Sequence, residues 1–370
     1  MKNKIKYSIL FLCIFIVVGL FYANNKVINL KPLKGSFVIW ASKENYKYLE
    51  ESSKEFMETN KKVSITVKEK SKDEIINYIE KGSGSDDAPS VVSINSKDLR
   101  NLSDKGKQGI ASAHNVIDSY GKTFNSWRLN EISVQDDLLA IPIENNPVFM
   151  FLRKDILDQY GYKAEDIRTW KELLDVSKDI KNKSNGKISL LNYSDITLDS
   201  LRNIMLYQAG TEKNIKETLD FIKNNDLMGK GTTIAYIATK DNYNNIIDAS
   251  NEDALTAIML PALEIGGNRA ASLDGENLAI VKGTNEKQEL ATRFITYSIN
   301  NQSLMEKYLK ENTFFPSSVV FYKNSIMDTE FSKVNNDKVW SLMANICNRN
   351  YTIDDYKKLD EQVKNESVDK

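Results

Sequence analysis

The sequence predicts an α/β protein of two lobes behind an apolar N-terminal segment. Three observations carry this. Between residues 36 and 94, short apolar strands alternate with helical patterns in the order βαβαβ, which implies a parallel sheet with crossover helices. The same alternation of strand-like and helix-like runs continues to Glu311. With the apolar terminus set aside, about 345 of the 370 residues remain, enough for two domains of ordinary size.

The terminus comes first. Tyr7 to Ala23 carries no charge, and Lys2, Lys4 and Lys6 precede it. This is the layout of a signal peptide or signal-anchor helix over residues 1–23. A spanning helix needs roughly 17–25 apolar residues, so the run is at the short end of sufficient. The lysines favour keeping the start inside and exporting the rest. Phe21-Tyr22-Ala23 matches a small-x-small cleavage pattern poorly, and Leu12, not a small residue, precedes Cys13. The expectation is an uncleaved transmembrane anchor, favoured over a cleaved or lipidated form, with the protein at the extracellular face of a cell membrane. Residues 24–35 read as a polar tether.

The elements follow in order. Ser36 to Trp40 is a short apolar run before a polar break, hence a buried strand. Residues 43–60 space Tyr46, Leu49, Phe56 and Met57 as a helix does. Val63 to Val67 alternates as a strand, 72–81 reads as a helix, and Ser90 to Ile94 as a third strand. Leu138 to Ile143 and Val148 to Leu152 are further strands. Arg153 to Tyr160 is a short helix closed by Gly161, and Thr169 caps a helix beginning at Trp170. Helices are expected near 198–208 and 214–224. Strands at 234–238 and 257–260 flank a polar stretch, 277–281 is a strand, and helices cover 286–299 and 304–311. The segment 338–346 reads as a helix, and 352–370 as an amphipathic helix that frays.

Composition excludes several functions. Lys and Arg number 50 against 51 Asp and Glu, so there is no basic surface for nucleic acid. Outside the apolar run the only cysteine is Cys347, which rules out an intrachain disulfide there, and with a single histidine, His114, a zinc site is not expected. No Gly-x-Ser-x-Gly elbow is present. Asp136 and Asp137 are adjacent, so a strand would point them to opposite faces. Gly229-Lys230-Gly231-Thr232 lacks the Gly five residues before the Lys that a phosphate-binding loop needs. Neither an enzyme nor a cofactor is expected.

The stretch 139–174, LAIPIENNPVFMFLRKDILDQYGYKAEDIRTWKELL, resembles the most recognisable block of the extracellular solute-binding proteins that serve sugar ABC importers, the maltose-binding-protein-like family. Arg153-Lys154-Asp155-Ile156-Leu157 and Thr169-Trp170-Lys171-Glu172-Leu173 match that block in order and spacing. Leu206 to Gly210, Met259-Leu260-Pro261, Leu273 to Ile280, Ala291 to Phe294 and Phe314 to Ser318 resemble further blocks, and the likeness spans about residues 36–345. The sequence departs from the pattern at Gly229 to Ala235, in its shorter C-terminal region and in its lack of a lipobox.

The resemblance implies a two-lobed periplasmic-binding-protein-like fold with three hinge crossings. Lobe I would comprise 36–143 plus 262–312, and lobe II 144–261 plus 313–351. It implies capture of a polar solute, a saccharide favoured, by hinge closure and delivery to ABC permease subunits. The alternative is a membrane-tethered sensor or interaction protein that keeps the fold without transport. In open α/β sheets ligands sit beyond the carboxyl ends of the strands, and that rule with the family pattern picks the candidates. Trp40 could stack on a sugar ring or pack in the core, with Lys43 and Glu44 beside it to bond hydroxyls. Asn95 follows the third strand. Glu144, Asn145 and Asn146 sit at the first crossing, as donors and acceptors for ligand or for backbone. Asp241 and Tyr243 fall where the family places cleft residues of the second lobe, and Glu276 and Asn277 follow Gly275 on the return strand. Tyr193 and Tyr207 are weaker candidates. Trp340 reads as packing, and Trp170 as structural.

Overall fold

The computed structural model describes residues 32–82, 88–134, 137–208, 210–250, 252–311, 314–323 and 335–349. The expected N-terminal helix at Tyr7–Ala23 and the C-terminal helix at 352–370 lie outside the described residues. Among the described residues no helix is long and apolar enough to cross a membrane.

Thirteen strands are described. In chain order they are β1 (Gly35–Ala41), β2 (Val63–Glu69), β3 (Pro89–Asn95), β4 (Ser133–Val134), β5 (Asp137–Leu138), β6 (Ile141–Pro142) and β7 (Pro147–Arg153). After them come β8 (Leu191–Asn192), β9 (Met228–Gly229), β10 (Ala235–Thr239), β11 (Leu255–Ile258), β12 (Ala271–Ser272) and β13 (Glu276–Ile280).

The first sheet has the order β2-β1-β3-β13-β6. β1 runs parallel to β2 and β3, as the βαβαβ pattern requires, while β13 returns antiparallel to both β3 and β6. The helix Lys43–Thr59 buries Tyr48, Leu49 and Phe56. The helix Lys72–Lys81 starts at a full capping box, Ser71 with Glu74, and buries Ile75 and Ile79. β3 sits mid-sheet and is buried along nearly its whole length, which its unbroken PSVVSI run foreshadows.

The second sheet has the order β10-β7-β11, with β12 also on β7, and every pairing is antiparallel. The parallel grammar of the first lobe therefore does not continue. β7 divides its side chains by period two. Val148, Met150 and Leu152 enter one core with Trp170, Leu173 and Met205, while Phe149 and Phe151 face the other way with Met343 and Cys347 of the helix Asn335–Asn348.

Two boundaries differ from expectation. The predicted strand 138–143 is split into β5 and β6, because β5 hairpins with β4 and Leu139 donates its N–H to Ile132 O at 3.2 Å. Residues 262–272, expected in lobe I, belong with the second sheet. Ala262 N–H donates to Arg168 O at 2.8 Å, and β12 pairs with Pro147 and Val148 of β7. β11 covers that edge of β7 only from Met150 onward, so β12 satisfies the edge groups that β11 leaves open. The second crossing thus runs from Leu273 to Glu276 rather than through Met259–Pro261. The helix Tyr243–Ala249 forms within the stretch read as a polar connection.

Candidate functional site

The carboxyl ends of β1, β2 and β3 open into a cavity of about 620 Å³. Its walls are Ser42, Lys43 and Glu44 after β1, the segment from Glu69 at the end of β2 to Lys72, Asn95 at the end of β3 with Asp98 beyond it, and Glu276 from β13. No second-lobe residue lines it. Four expected residues therefore meet here: Lys43, Glu44, Asn95 and Glu276. Asn95 also caps the helix Ser96–Asn101, its Oδ1 accepting from Asp98 N–H at 2.8 Å. Asn45, not anticipated, is fully buried and donates to Glu276 Oε2 at 3.1 Å. Ser42 Oγ donates to the same oxygen at 3.4 Å.

Glu276 of the cavity wall also ends one of three crossings between the sheets, which lie near Glu144, Leu273–Glu276 and Phe315–Ser318. They converge on Arg128, whose side chain is 0% exposed. Its Nη2 donates to Asn277 Oδ1 at 2.8 Å, Glu276 O at 3.0 Å and Glu144 O at 3.3 Å. Nη1 donates to Ser96 Oγ at 2.9 Å and to Glu131 Oε2, and Nε to Ser317 Oγ at 3.3 Å. One guanidinium thus reaches all three crossings, which its planar fork of five donors permits.

A profile of the bacterial extracellular solute-binding proteins matches residues 51–319. The chain belongs to that family. Among curated relatives of this solute-binding protein, the lactose-binding protein of Rhizobium radiobacter is 20% identical over 183 residues, covering 48% of this chain and 42% of the relative. The arabinooligosaccharide-binding protein of Halalkalibacterium halodurans is 19% identical over 269 residues, 62% of this chain and 58% of the relative. The chain thus spans about half the length of the curated relatives it matches. The solved structure of the sugar-binding protein MalE from Xanthomonas citri superimposes with a TM-score of 0.66 at 14% identity, covering 89% of this chain and 90% of that one. At that identity the likeness concerns the fold.

In this solute-binding protein the remaining candidates divide between crossings, core and surface. Asn145 joins two of the crossings. Its N–H donates to Phe315 O at 2.7 Å and its Nδ2 to Pro316 O at 3.3 Å, while its Oδ1 accepts from Ser317 Oγ at 3.1 Å. Asn277 is likewise spent on the frame, donating to Ile94 O and Gly275 O, each at 3.0 Å. Asn146 donates its N–H to Ser272 Oγ at 3.0 Å, and its buried Oδ1 has no hydrogen-bond partner among the described residues. Trp40 lies outside the cavity lining. Its ring is 4.9 Å from that of Tyr78 and Lys70 Nζ lies 5.1 Å above it, so it backs the wall rather than offering a free face. Tyr243 is 5% exposed and packs near Phe149, with ring centroids 6.5 Å apart, because the unexpected helix it begins turns it into the core.

Tyr207 is buried at the lobe boundary. Its hydroxyl accepts from Arg100 Nη2 at 3.1 Å and donates to Asp274 Oδ1 at 3.2 Å. Tyr193 is exposed on the surface. Trp170 is buried and donates to Gln208 Oε1 at 3.1 Å, in the structural role its position suggests. Trp340 falls on the helix Asn335–Asn348, with its side chain outside the description.

Charge gathers at the first crossing. Lys240 follows β10 and places its Nζ 3.0 Å from Glu144 Oε1 and 2.9 Å from Asp241 Oδ1. Burial pushes the Glu144 carboxyl up to about 7 against the pull of Lys240. Burial, reinforced by Glu144 and Glu44, pushes Glu276 up to about 8. Burial also works against the Lys240 ammonium, but Glu144 and Asp241 outweigh it and hold that group charged.

Neither Arg128 nor Lys240 is among the residues expected from the sequence. A usable signal for Arg128 was Glu131 three residues on, an ion-pair spacing in a helix that also carries Trp127. Gly275 shows how tight the hub is. A Cβ there would lie 2.6 Å from Glu144 O and 2.7 Å from Arg128 Cζ. Gly275→Ala is expected to cost about 1–3 kcal/mol by overpacking, read as a lower urea midpoint; an unchanged midpoint would show that the crossings can yield.

Proposed function

We propose that this protein captures a polar solute, a saccharide favoured, in the cleft between its lobes, and passes it to an ABC permease at the extracellular face of a cell membrane. The observation that carries the reading is the cavity at the carboxyl ends of β1–β3, whose wall includes Glu276 at the end of one inter-lobe crossing. A solute held there is enclosed by rotation of the second lobe, and closure is driven by the extra contacts it makes in the closed state. The charge-free run Tyr7–Ala23 supports the location. The sugar-binding relatives support the solute class.

The lining sharpens that class. It carries the carboxylates Glu44, Glu69, Glu74 and Asp98, with the raised Glu276 carboxyl protonated at neutral pH, against the ammonium groups Lys43, Lys70 and Lys72. Two of these lysines are engaged inside the wall, Lys70 with Glu74 at 2.7 Å and Lys72 with Asp98 at 2.8 Å. The remaining excess is acidic, so amino sugars are favoured over acidic sugars.

The test is a thermal-shift and calorimetric screen of the full chain in detergent against neutral sugars, amino sugars, uronic acids, amino acids and peptides. A shift with at least one neutral or amino sugar is expected. No shift with any sugar would remove the saccharide reading. For the solute found, Glu276→Ala should weaken binding by about tenfold, roughly 1.4 kcal/mol, while unchanged affinity would move the site elsewhere. Co-purification of permease subunits would support delivery, and binding without them would favour a tethered sensor.

A further inference from the structure

Lys240 is a cation that the second lobe sends to the carboxyl group at the first crossing. It follows β10, whose partner is β7 of the second sheet. Its target belongs to the first lobe's end of the hinge, since the backbone N–H groups of Ile143 and Glu144 both donate to Glu276 O, at 3.0 and 3.2 Å. The Lys240 and Glu144 side chains are 8% and 2% exposed. The two Glu144 carboxylate oxygens are buried and accept no hydrogen bond among the described residues, so the ion pair is what compensates them. A buried carboxylate that loses its counter-ion is left uncompensated, which resists separation of the two groups far more than a surface pair would.

We propose that Lys240 is an inter-lobe strut: its ion pair with Glu144 holds the lobe-to-lobe arrangement of the protein before solute arrives. The pair joins a loop of one lobe to the root of a crossing, where small rotations become large displacements at the cleft mouth. A second tie across the boundary, Arg100 to Tyr207, is a hydrogen bond at 3.1 Å and engages neither Glu144 nor Lys240. The strut bears on the proposed solute capture through closure, and it is tested without any solute, so the two ideas fail separately.

The experiment is hydrogen–deuterium exchange on the full chain in detergent at pH 8.5, where the Glu144 carboxyl is ionised, comparing wild type with Lys240→Met, Glu144→Gln, the double variant and Lys240→Arg. Exchange of the crossing peptides 143–147, 272–277 and 315–318 is the readout. Lys240→Met, Glu144→Gln and the double variant should each accelerate it by about tenfold, with no further gain from combining them, while β2 and the helix Asn285–Asn300 keep their protection. Lys240→Arg should stay near wild type. Unchanged exchange at the crossings in the double variant would overturn the proposal. A uniform acceleration that includes β2 would also overturn it, because that marks general destabilisation rather than a strut.

Discussion

Replacing Arg128 by Met should lower the unfolding free energy by about 3–5 kcal/mol, the cost of breaking a fully buried ion pair by removing one partner. The loss has two parts. Glu131, 4% exposed, would remain in the interior without the guanidinium that offsets its burial. Five acceptors would lose a donor at the same time, Ser96 Oγ, Glu144 O, Glu276 O, Asn277 Oδ1 and Ser317 Oγ, of which Glu276 O keeps the N–H groups of Ile143 and Glu144. Each buried acceptor left open costs about 1–3 kcal/mol unless water reaches it. Urea titration of the variant is the measurement. Arg128→Met with Glu131→Leu should recover part of the loss, since the double change removes the orphaned charge. A loss below about 1 kcal/mol for the single variant would mean that the crossings are held by other groups. The same network explains why Asn145 and Asn277 are buried: they are partners within the frame of the crossings.

Stability should fall as pH rises from about 5 to about 8. Glu144 and Glu276 each move upward from the ordinary carboxyl value of 4.5, to about 7 and about 8. A carboxyl raised in the folded state binds its proton more tightly there than in the unfolded chain. Its contribution is therefore fully present below 4.5 and is lost as pH climbs through the folded values. The two groups are neighbours and titrate together, so the combined loss is on the order of 3 kcal/mol rather than the sum of two separate shifts. The raised Lys240 does not oppose this, because its contribution changes only above the ordinary lysine range. On the acid side the sign reverses. Glu51 is held low by Lys307, and Glu172 by the backbone N–H groups of Arg168 and Thr169, and both lose their contribution as pH drops below 4.5. Stability should thus peak near pH 5. Urea midpoints measured from pH 4 to pH 9 test this, and Glu144→Gln with Glu276→Gln should flatten the alkaline limb. A wild-type midpoint that rises between pH 5 and pH 8 would contradict the assignment.

The cavity was only partly legible in the sequence. Lys43, Glu44 and Asn95 could be placed because they follow strands of a parallel sheet, where side chains beyond the carboxyl ends share one rim. Glu276 was reached through the family pattern around Gly275. Trp40 and Tyr243 show the limit. An aromatic near a strand end can face the cleft or the wall, and the choice rests on Tyr78 and Lys70 for one and on Phe149 for the other. Those partners are remote in sequence or supplied by a helix that polar composition concealed.

The sequence by itself determined what depends on neighbouring residues. The strand at β1, the helices Lys43–Thr59 and Lys72–Lys81, and the Thr169–Glu172 capping box all follow from periodicity and cap chemistry within a turn or two. The order of its blocks also marked the family. Tertiary structure alone decided that the second sheet is antiparallel, that β12 finishes the edge of β7, and that Arg128 gathers three crossings. It also decided that Lys240 meets Glu144. The physical reason is that a period states how side chains are spaced along an element, whereas a buried hydrogen bond or ion pair states which distant element satisfies it. Arg128 and Asn277 are 149 residues apart, and no local pattern carries that pairing.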